Sequence, residues 1–532
     1  MNSNSEKFLY KKELSKDADY NMWFVFPGPE AFALSSLGFL WLFREIDMCE
    51  DINIERVYSD TKTTRLMRDD IDLIAFSLSF DMDFLEVFRF MEWCKFPFKA
   101  SERGEDIPLI FAGGPVITSN PEPYKEIFDF FVIGDGEVLG RTGQYAANYG
   151  LPDNEELKGV NIQVVDTCRK MQGQSKSEIL KELAKIEGVY VPNISKKVVK
   201  STKKLPECIY TPIVSEKAFF PSTFILEVER GCANRCGFCL ASYINLPIRF
   251  VPYEKLIETI ELGLEYTNKI ALLGAQITAH PRFEDICRYV EAKIDNGEDI
   301  EMGVSSLRVD SFTVPIVRTL VKAGQKNLTL AIEAGSERLR RVINKNLTEN
   351  QIYSAIDAAV ECGLRGMKFY GMIGLPTETM EDIEEIVNLS KRIKAKYKGF
   401  DISFGFSTFV PKANTPFQWF GRDSEKSLEQ KSKYLQKELH KIGVQASVSS
   451  PKWDYYQALL SRGDGNLTNY LIEVYKQGGK LGAFKKAAKL LNINTDYYAL
   501  ENYSYDKELP WDFIEMRPGK EFLINESKRL VS

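Results

Sequence analysis

At 532 residues, with 44% hydrophobic and 27% charged side chains and a formal net charge of -6, the chain has the make-up of a globular protein of two or three domains. That balance excludes a strongly basic nucleic-acid binder, and the longest apolar run, Ala31 to Phe43, is interrupted well short of the ~20 residues a membrane span requires. The opening Met-Asn-Ser-Asn-Ser-Glu-Lys lacks the basic-then-apolar order of a signal peptide, so the expectation is a cytoplasmic protein with no membrane span and no nucleic-acid partner.

Residues 1–150 are expected to form a first domain. Met22 to Phe26, Leu73 to Ser77, Leu109 to Ala112 and Phe130 to Ile133 read as strands, and Ala31 to Glu45 and Phe84 to Cys94 as helices. Their alternation predicts a Rossmann-like parallel sheet covered on both faces. Gly113-Gly114-Pro115 and Gly134-Asp135-Gly136-Glu137 follow two of the strands. In such sheets ligands bind beyond the carboxyl ends, where glycine lets the backbone come close. Tight turns would use the same glycines.

Residues 151–222 are less regular and read as a connecting segment, with a small helix at Glu178 to Ile186 and a Lys-rich, solvated stretch from Ser195 to Lys204 before Leu205-Pro206.

Residues 223–423 are strongly periodic. A strand at Phe224 to Val228 runs into Cys232, Cys236 and Cys239, spaced C-x3-C-x2-C. Five more strands follow, at Ile270 to Leu273, Met302 to Ser305, Leu328 to Ile332, Met367 to Met372 and Ile402 to Phe406. Helices are predicted to start at Pro252, Phe283, Val314, Thr348 and Thr379. Phe283, Ile286, Cys287, Val290 and Ile294 share one helical face, and Thr348 with Gln351 makes a capping box. The succession predicts a partial (β/α)6 TIM-type barrel with its chemistry at the carboxyl ends of the strands. Residues 424–532 read as mainly helical, including a Lys- and Gln-rich helix from Glu425 to Lys441 that carries His440 on its surface.

The three clustered thiols carry the chemistry. The chain has nine Cys, an odd number, and two His, so neither a disulfide framework nor a multi-histidine metal site is expected. A closed zinc site needs four ligands, for which Cys208 would be a distant fourth. An iron–sulfur cubane on three thiolates leaves one iron open.

The cluster loop, with Phe238 just before its last Cys, resembles that of the radical S-adenosylmethionine (radical SAM) enzymes. The resemblance implies a 4Fe-4S cluster on Cys232, Cys236 and Cys239, with S-adenosylmethionine chelating the open iron. Reductive cleavage would then give a 5'-deoxyadenosyl radical, with a flavodoxin- or ferredoxin-like protein as electron donor. It assigns the amino group to Gly274-Ala275, where Gly-Gly-Glu is common, the ribose and carboxylate to Ser305, Arg308 and Glu333, and adenine to Ile373-Gly374. Arg308 and Glu333 could equally form an ion pair at the barrel rim. His280 and Tyr370 are the candidate catalytic side chains, although His280 could simply pack a loop. Lys368 and Lys412 are further candidates for the cavity, the inward set being unassigned from sequence.

Ile110-Phe-Ala-Gly-Gly-Pro, Asn120-Pro-Glu-Pro, Val132-Ile-Gly-Asp-Gly-Glu and Leu183 to Pro192 look like the N-terminal domain of the cobalamin-binding subgroup of that family, and Phe409 to Trp419 and Leu459 to Asp464 resemble later parts of the same subgroup. The resemblance implies cobalamin near Gly113, Gly114, Gly134 and Gly136. Because no His precedes His280, cobalt would receive no imidazole from this domain. The leading expectation is cobalamin-dependent C-methylation of an unactivated carbon in an unknown substrate. The rivals are cobalamin-independent rearrangement, cyclisation or sulfur insertion, and a non-catalytic iron–sulfur or zinc scaffold.

Overall fold

The structure is a computed structural model that describes residues 6–10, 18–137, 159–202, 204–205 and 207–532. The expectations for residues 138–158, Lys203 and Pro206, and for the first residues of the 1–150 segment, lie outside the described residues. The chain divides into two compact units. The first comprises Met1–Ile225, Gly463–Asn494 and Glu508–Met516, and the second comprises Leu226–Arg462, Thr495–Lys507 and Arg517–Ser532. The 151–222 segment thus belongs with the first unit, and the 424–532 region is shared between the two. No helix among the described residues is long and apolar enough to cross a membrane.

The sheet of the first unit contains β1 (Tyr20–Phe26), β2 (Ile52–Tyr58), β3 (Leu73–Ser77), β4 (Leu109–Gly113), β5 (Phe130–Val132) and β6 (Val189–Tyr190) in the order β2-β1-β3-β4-β5-β6. The first five pair in parallel and β6 is antiparallel at the edge. Both faces are apolar, as a parallel sheet covered by helices requires. Met22, Phe24, Leu73 and Phe111 join one core with Phe39, Leu40 and Val164, while Trp23, Ile74 and Phe76 are buried on the opposite side. The single helix expected over Ala31 to Glu45 is two helices, Glu30–Ala33 and Leu37–Asp47. Ser36 lies in extended backbone between them, and a serine pair competes with helical hydrogen bonding.

β7 (Thr223–Glu227), which runs across the boundary at Leu226, forms one sheet with β8 (Lys269–Leu273) and β9 (Glu301–Val304), and β10 (Leu328–Glu333), β11 (Gly366–Ile373), β12 (Asp401–Thr408) and β13 (Gln445–Val448) form another in the second unit. A parallel bridge between Leu307 and Leu330 links the two. Helices Tyr253–Leu264, Phe283–Asp295, Val314–Lys322, Glu349–Glu361 and Met380–Lys396 connect the strands. The capping box is present: the Thr348 hydroxyl accepts the Gln351 N–H, and Gln351 Oε1 accepts the Thr348 N–H at 2.9 Å. The partial barrel therefore forms as the sequence indicates. The additional strand β13, Gln-Ala-Ser-Val, is too small and polar to stand out by apolarity.

Candidate functional site

The cysteine loop leaves β7 through a short hairpin in which Glu229 and Arg230 pair with Phe250 and Arg249. Gly231 then turns the chain at φ 93°, where a Cβ would stand 2.6 Å from the Asn245 carbonyl oxygen. Only glycine fits both demands. Further along, Gly237 donates its N–H to the Ile343 carbonyl at 3.1 Å and accepts the Phe417 N–H at 3.0 Å. Asn344 Nδ2 donates to the Asn234 and Arg235 carbonyls at 2.8 and 3.2 Å, and the Tyr243 hydroxyl donates to the Arg235 carbonyl at 2.8 Å. The loop is therefore fixed from three sides.

Cys232, Cys236 and Cys239 are all free thiols, the first two buried and the third half-buried. Burial pushes the Cys236 thiol up to about 12, opposed by the charges of Lys345 and Arg308, and burial raises Cys239 as well. A metal centre reverses that balance, because it binds the thiolate. Among the described residues, no three His, Cys, Asp or Glu side chains meet as ligands of one ion. The remaining Cys and His of the second unit are engaged elsewhere or exposed: Cys287 is buried, Cys362 Sγ points to the Val314 carbonyl, and His440 is exposed on its helix. His280 is 6% exposed, with Nε2 2.8 Å from the Val251 carbonyl and Nδ1 accepting the Arg282 N–H at 3.1 Å. Burial lowers its pKa, and both ring nitrogens hold backbone. Three thiols with cations beside them fit an anionic cluster that leaves one iron open.

Gln276 after β8, Arg308 after β9 and Glu333 at the end of β10 bear on this loop. Gly274 and Ala275 follow β8, and the next residue, Gln276, reaches the cysteine loop with its side chain. Cys232 Sγ lies 3.5 Å from Gln276 Oε1, and Asn234 Nδ2 lies 3.4 Å from Cys232 Sγ while also donating to Gln276 Oε1. Behind the turn, the fully buried Glu229 accepts the Gln276 N–H. Ser305 is exposed directly after β9. Arg308 does not pair with Glu333. Its Nε and Nη2 hold Asp310 at 2.9 and 2.7 Å, and Nη2 also donates to the Lys345 carbonyl at 3.3 Å. Burial works against the guanidinium, but Asp310 outweighs it and leaves the pKa raised.

Glu333 instead accepts Lys345 Nζ at 3.1 Å. It sits at φ 63°, where β10 breaks register with β11. A non-glycine residue in that region at a strand end is a conformation associated with functional sites. Ile373 is fully buried at the end of β11, and Gly374, at φ 79°, donates its N–H to Glu378 at 2.8 Å. Lys431 holds Glu378 and Asp423, each at 2.8 Å. Phe238 packs against the apolar cluster that contains Leu339, Ile343, Leu375 and Phe417.

The barrel strands have two unequal faces. Leu328, Leu330 and Ile332 are buried, and Thr329, Ala331 and Glu333 alternate with them on a more open face. Register places Lys368 beside Thr329 and Ser403, and Tyr370 beside Ala331 and Gly405. Ser403 and Gly405 in turn adjoin Gln445 and Ser447. Tyr370 is 41% exposed there, with Lys368 Nζ 5.2 Å from its ring centroid. Lys412 donates instead to Ser461 at 2.8 Å. Parallel strands ordinarily bury both faces and fill a barrel with branched aliphatics. Here one face carries small and polar side chains, and it is the face on which Glu333 stands near Cys236.

In the first unit, Gly114 and Gly134 take φ 107° and 100°, and a Cβ on either would run into the Leu78 or Ser201 backbone. A Cβ on Gly136 would stand 2.6 Å from the Asn161 amide, whereas one on Gly113 would make only ordinary contacts with Val132. Three of these glycines are thus demanded by the packing of the chain on itself.

Glu229, Gln276, Asn234 and Lys345 did not stand out in the sequence. Asn234 at least carried a signal, since it lies inside the cysteine loop.

Comparison with known proteins places these features. The family model described as the radical SAM superfamily matches residues 226–390, and the model for the N-terminal region of radical SAM proteins matches residues 38–148. The chain is 30% identical to an uncharacterized protein of Methanocaldococcus jannaschii over 473 residues, 88% of this chain and 94% of that protein. It is 27% identical to an uncharacterized methyltransferase of Pyrococcus horikoshii, over 56% of this chain and 60% of the relative. Among solved structures, its fold is similar to that of the cobalamin-dependent S-adenosylmethionine radical enzyme OxsB with aqua-cobalamin and S-adenosylmethionine bound. The TM-score is 0.52 at 13% identity, over 96% of this chain and 78% of that one.

Proposed function

The chain belongs to the radical SAM superfamily and is an enzyme of that class, and on this premise we propose that it carries out cobalamin-dependent methylation of an unactivated carbon. Membership implies a 4Fe-4S cluster, S-adenosylmethionine and an external reductant. When bound, the cluster supplies an electron that cleaves the sulfonium, and methylcobalamin supplies a methyl group.

The residues of the chain do the holding. Cys232, Cys236 and Cys239 would hold the cluster, and Lys345 and Arg308 would offset its negative charge. Ser305, Arg308, Glu333 and the turns at Gly274-Ala275 and Ile373-Gly374, all at strand ends, are the groups for S-adenosylmethionine. The open face of β10 to β13, with Lys368 and Tyr370, receives the substrate and orients its reacting carbon.

The observation that carries the methylation reading is the presence, in one chain, of a three-thiol barrel and a sheet in flavodoxin-like order. That order reverses between β1 and β3, and the segments after Phe26 and Ser77 border the crevice where such sheets bind cofactors. OxsB, whose fold is similar, binds cobalamin, and a relative bears the name methyltransferase. No His precedes His280, so this unit would hold cobalamin without an imidazole.

Anaerobic purification after growth with cobalamin tests the proposal. Iron, sulfide and cobalt should co-purify, and the visible spectrum should show cluster and corrin together. Iron and sulfide without cobalt would overturn the methylation reading and leave a cobalamin-independent radical SAM enzyme.

A further inference from the structure

Charge on the barrel strands is balanced almost everywhere. Glu227 on β7 holds Arg230 at 2.8 Å, and Lys269 on β8 lies 3.7 Å from Glu301 on β9. Glu333 on β10 holds Lys345 at 3.1 Å, and Asp401 on β12 lies 3.6 Å from Lys394. Lys368 on β11 is the exception. Among the described residues it has no acidic partner, and its charge meets the Tyr370 ring, whose centroid lies 5.2 Å from Nζ. A ring face attracts a cation without neutralising it.

The neighbours of that ammonium leave room around it. Thr329 and Ser403 are its register partners on the two flanking strands, and neither hydroxyl is hydrogen-bonded among the described residues. Although Lys368 pairs with Ser403, its Cε lies beside Gly405, nearer the carboxyl end of β12. A Cβ on Gly405 would stand 3.2 Å from Lys368 Cε and 3.4 Å from Tyr370 Cδ1. The lysine therefore leans toward the carboxyl ends of the strands, over a strip that glycine keeps bare. A half-buried ammonium with no counter-charge and unused hydroxyls on either side is a standing attractor for an anion. Lysine meets its partner as a point charge, which suits a carboxylate or a phosphate.

We propose that the open face of β10 to β12 recognises a substrate carrying a carboxylate or phosphate group, with Lys368 as its charge partner and the Thr329 and Ser403 hydroxyls beside it. The proposal rests on the reading of that face as the substrate's and is independent of cobalamin. Lys368 is then a specificity-determining residue. Holding the anionic end at the depth of Tyr370 and Gly405 leaves the rest of the substrate toward the carboxyl ends, where barrel chemistry takes place.

Ligand-observed NMR on the iron-loaded enzyme tests this with two pairs of probes, butyrate against butyramide and butyl phosphate against butanol. At least one anion should bind about ten-fold or more tightly than its neutral counterpart, as a charge-assisted hydrogen bond allows. Which pair shows the preference tells carboxylate from phosphate. Lys368→Met should erase it, and Lys368→Arg, which keeps the charge, should retain it. Added salt should weaken the preferred anion and spare the neutral probe, a readout on the wild-type enzyme that carries the test if Lys368→Met does not load iron. No preference for either anion, a preference indifferent to salt, or one that survives Lys368→Met overturns the proposal. Cobalt analysis of the same preparations separates the two readings: an anion preference without cobalt would sink methylation alone, and cobalt without an anion preference would sink this proposal alone.

Discussion

Gly237 faces the ring of Phe417 so closely that a Cβ on the glycine would lie 2.8 Å from it, with Leu530 Cδ1 at 2.9 Å on the other side. The glycine between Cys236 and Phe238 is therefore where the cysteine loop docks on the apolar cluster of Phe417, Ile343 and Leu530. Gly237→Ala should overpack this contact, at a cost of about 1–3 kcal/mol. The expected readout is a lower melting temperature together with reduced iron incorporation. Unchanged iron loading would show that the loop tolerates displacement.

Cys236→Ala should abolish cluster assembly and the formation of 5'-deoxyadenosine. Cys287→Ala provides the comparison, since Cys287 is equally buried but lies in the helix Phe283–Asp295. Iron and sulfide analysis of both variants separates loss of a ligand from loss of packing, and persistence of a cluster in Cys236→Ala would remove the basis of the site.

Asp83 gives the first unit a pH dependence. Burial pushes its carboxyl from 3.8 up to about 7, with Asp81 and Glu86 adding to the rise and the Ser79 and Phe80 N–H groups opposing it. The folded protein therefore keeps a proton that the unfolded chain releases between about pH 4 and pH 7. Stability from this group is complete below that window and is lost as pH climbs through it, on the order of 1–3 kcal/mol. Melting temperatures of Asp83→Asn from pH 5 to pH 8 should fall less steeply than those of the wild type, and parallel curves would contradict the assignment.

Arg103 and Asp129 are a buried pair at 3.0 Å, their side chains 0% and 5% exposed. Arg103 also donates to the Ile127 carbonyl at 2.8 Å, and Asp129 accepts the Ile110 N–H at 2.8 Å. Arg103→Met leaves a buried carboxylate without its cation and should cost about 3–5 kcal/mol. Replacing both partners with apolar residues should recover part of that loss in a thermal melt.

The parts that could be read from sequence are those whose signal is local. Cysteine spacing, the Thr348 capping box and the apolar runs of β3 and β11 each lie within a few residues. What escaped depends on distant partners. Ile52–Tyr58 mixes apolar with polar side chains, its alternation broken at Glu55-Arg56, and becomes a strand by pairing with β1. Arg308 beside the cysteines invited a pairing with Glu333, but Asp310, two residues on, is closer to hand, and Lys345 reaches Glu333 from the end of the helix before it. Glu229 beside Arg230 looks like half of a surface ion pair, yet Arg230 turns to Glu227, and the partner of Glu229 is the backbone of Gln276, 47 residues away. The open face of β11 and β12 was hidden for a simpler reason: alternation shows that two faces differ without showing which one the helices cover.

The first unit begins the chain but is completed by residues 463–494 and 508–516. On the ribosome it therefore stays unfinished until nearly all of the second unit has emerged, so the two units reach completion close together rather than one after the other. No single cut in the gene releases either unit whole, and a shuffled or truncated version must carry these late segments along to mature at all.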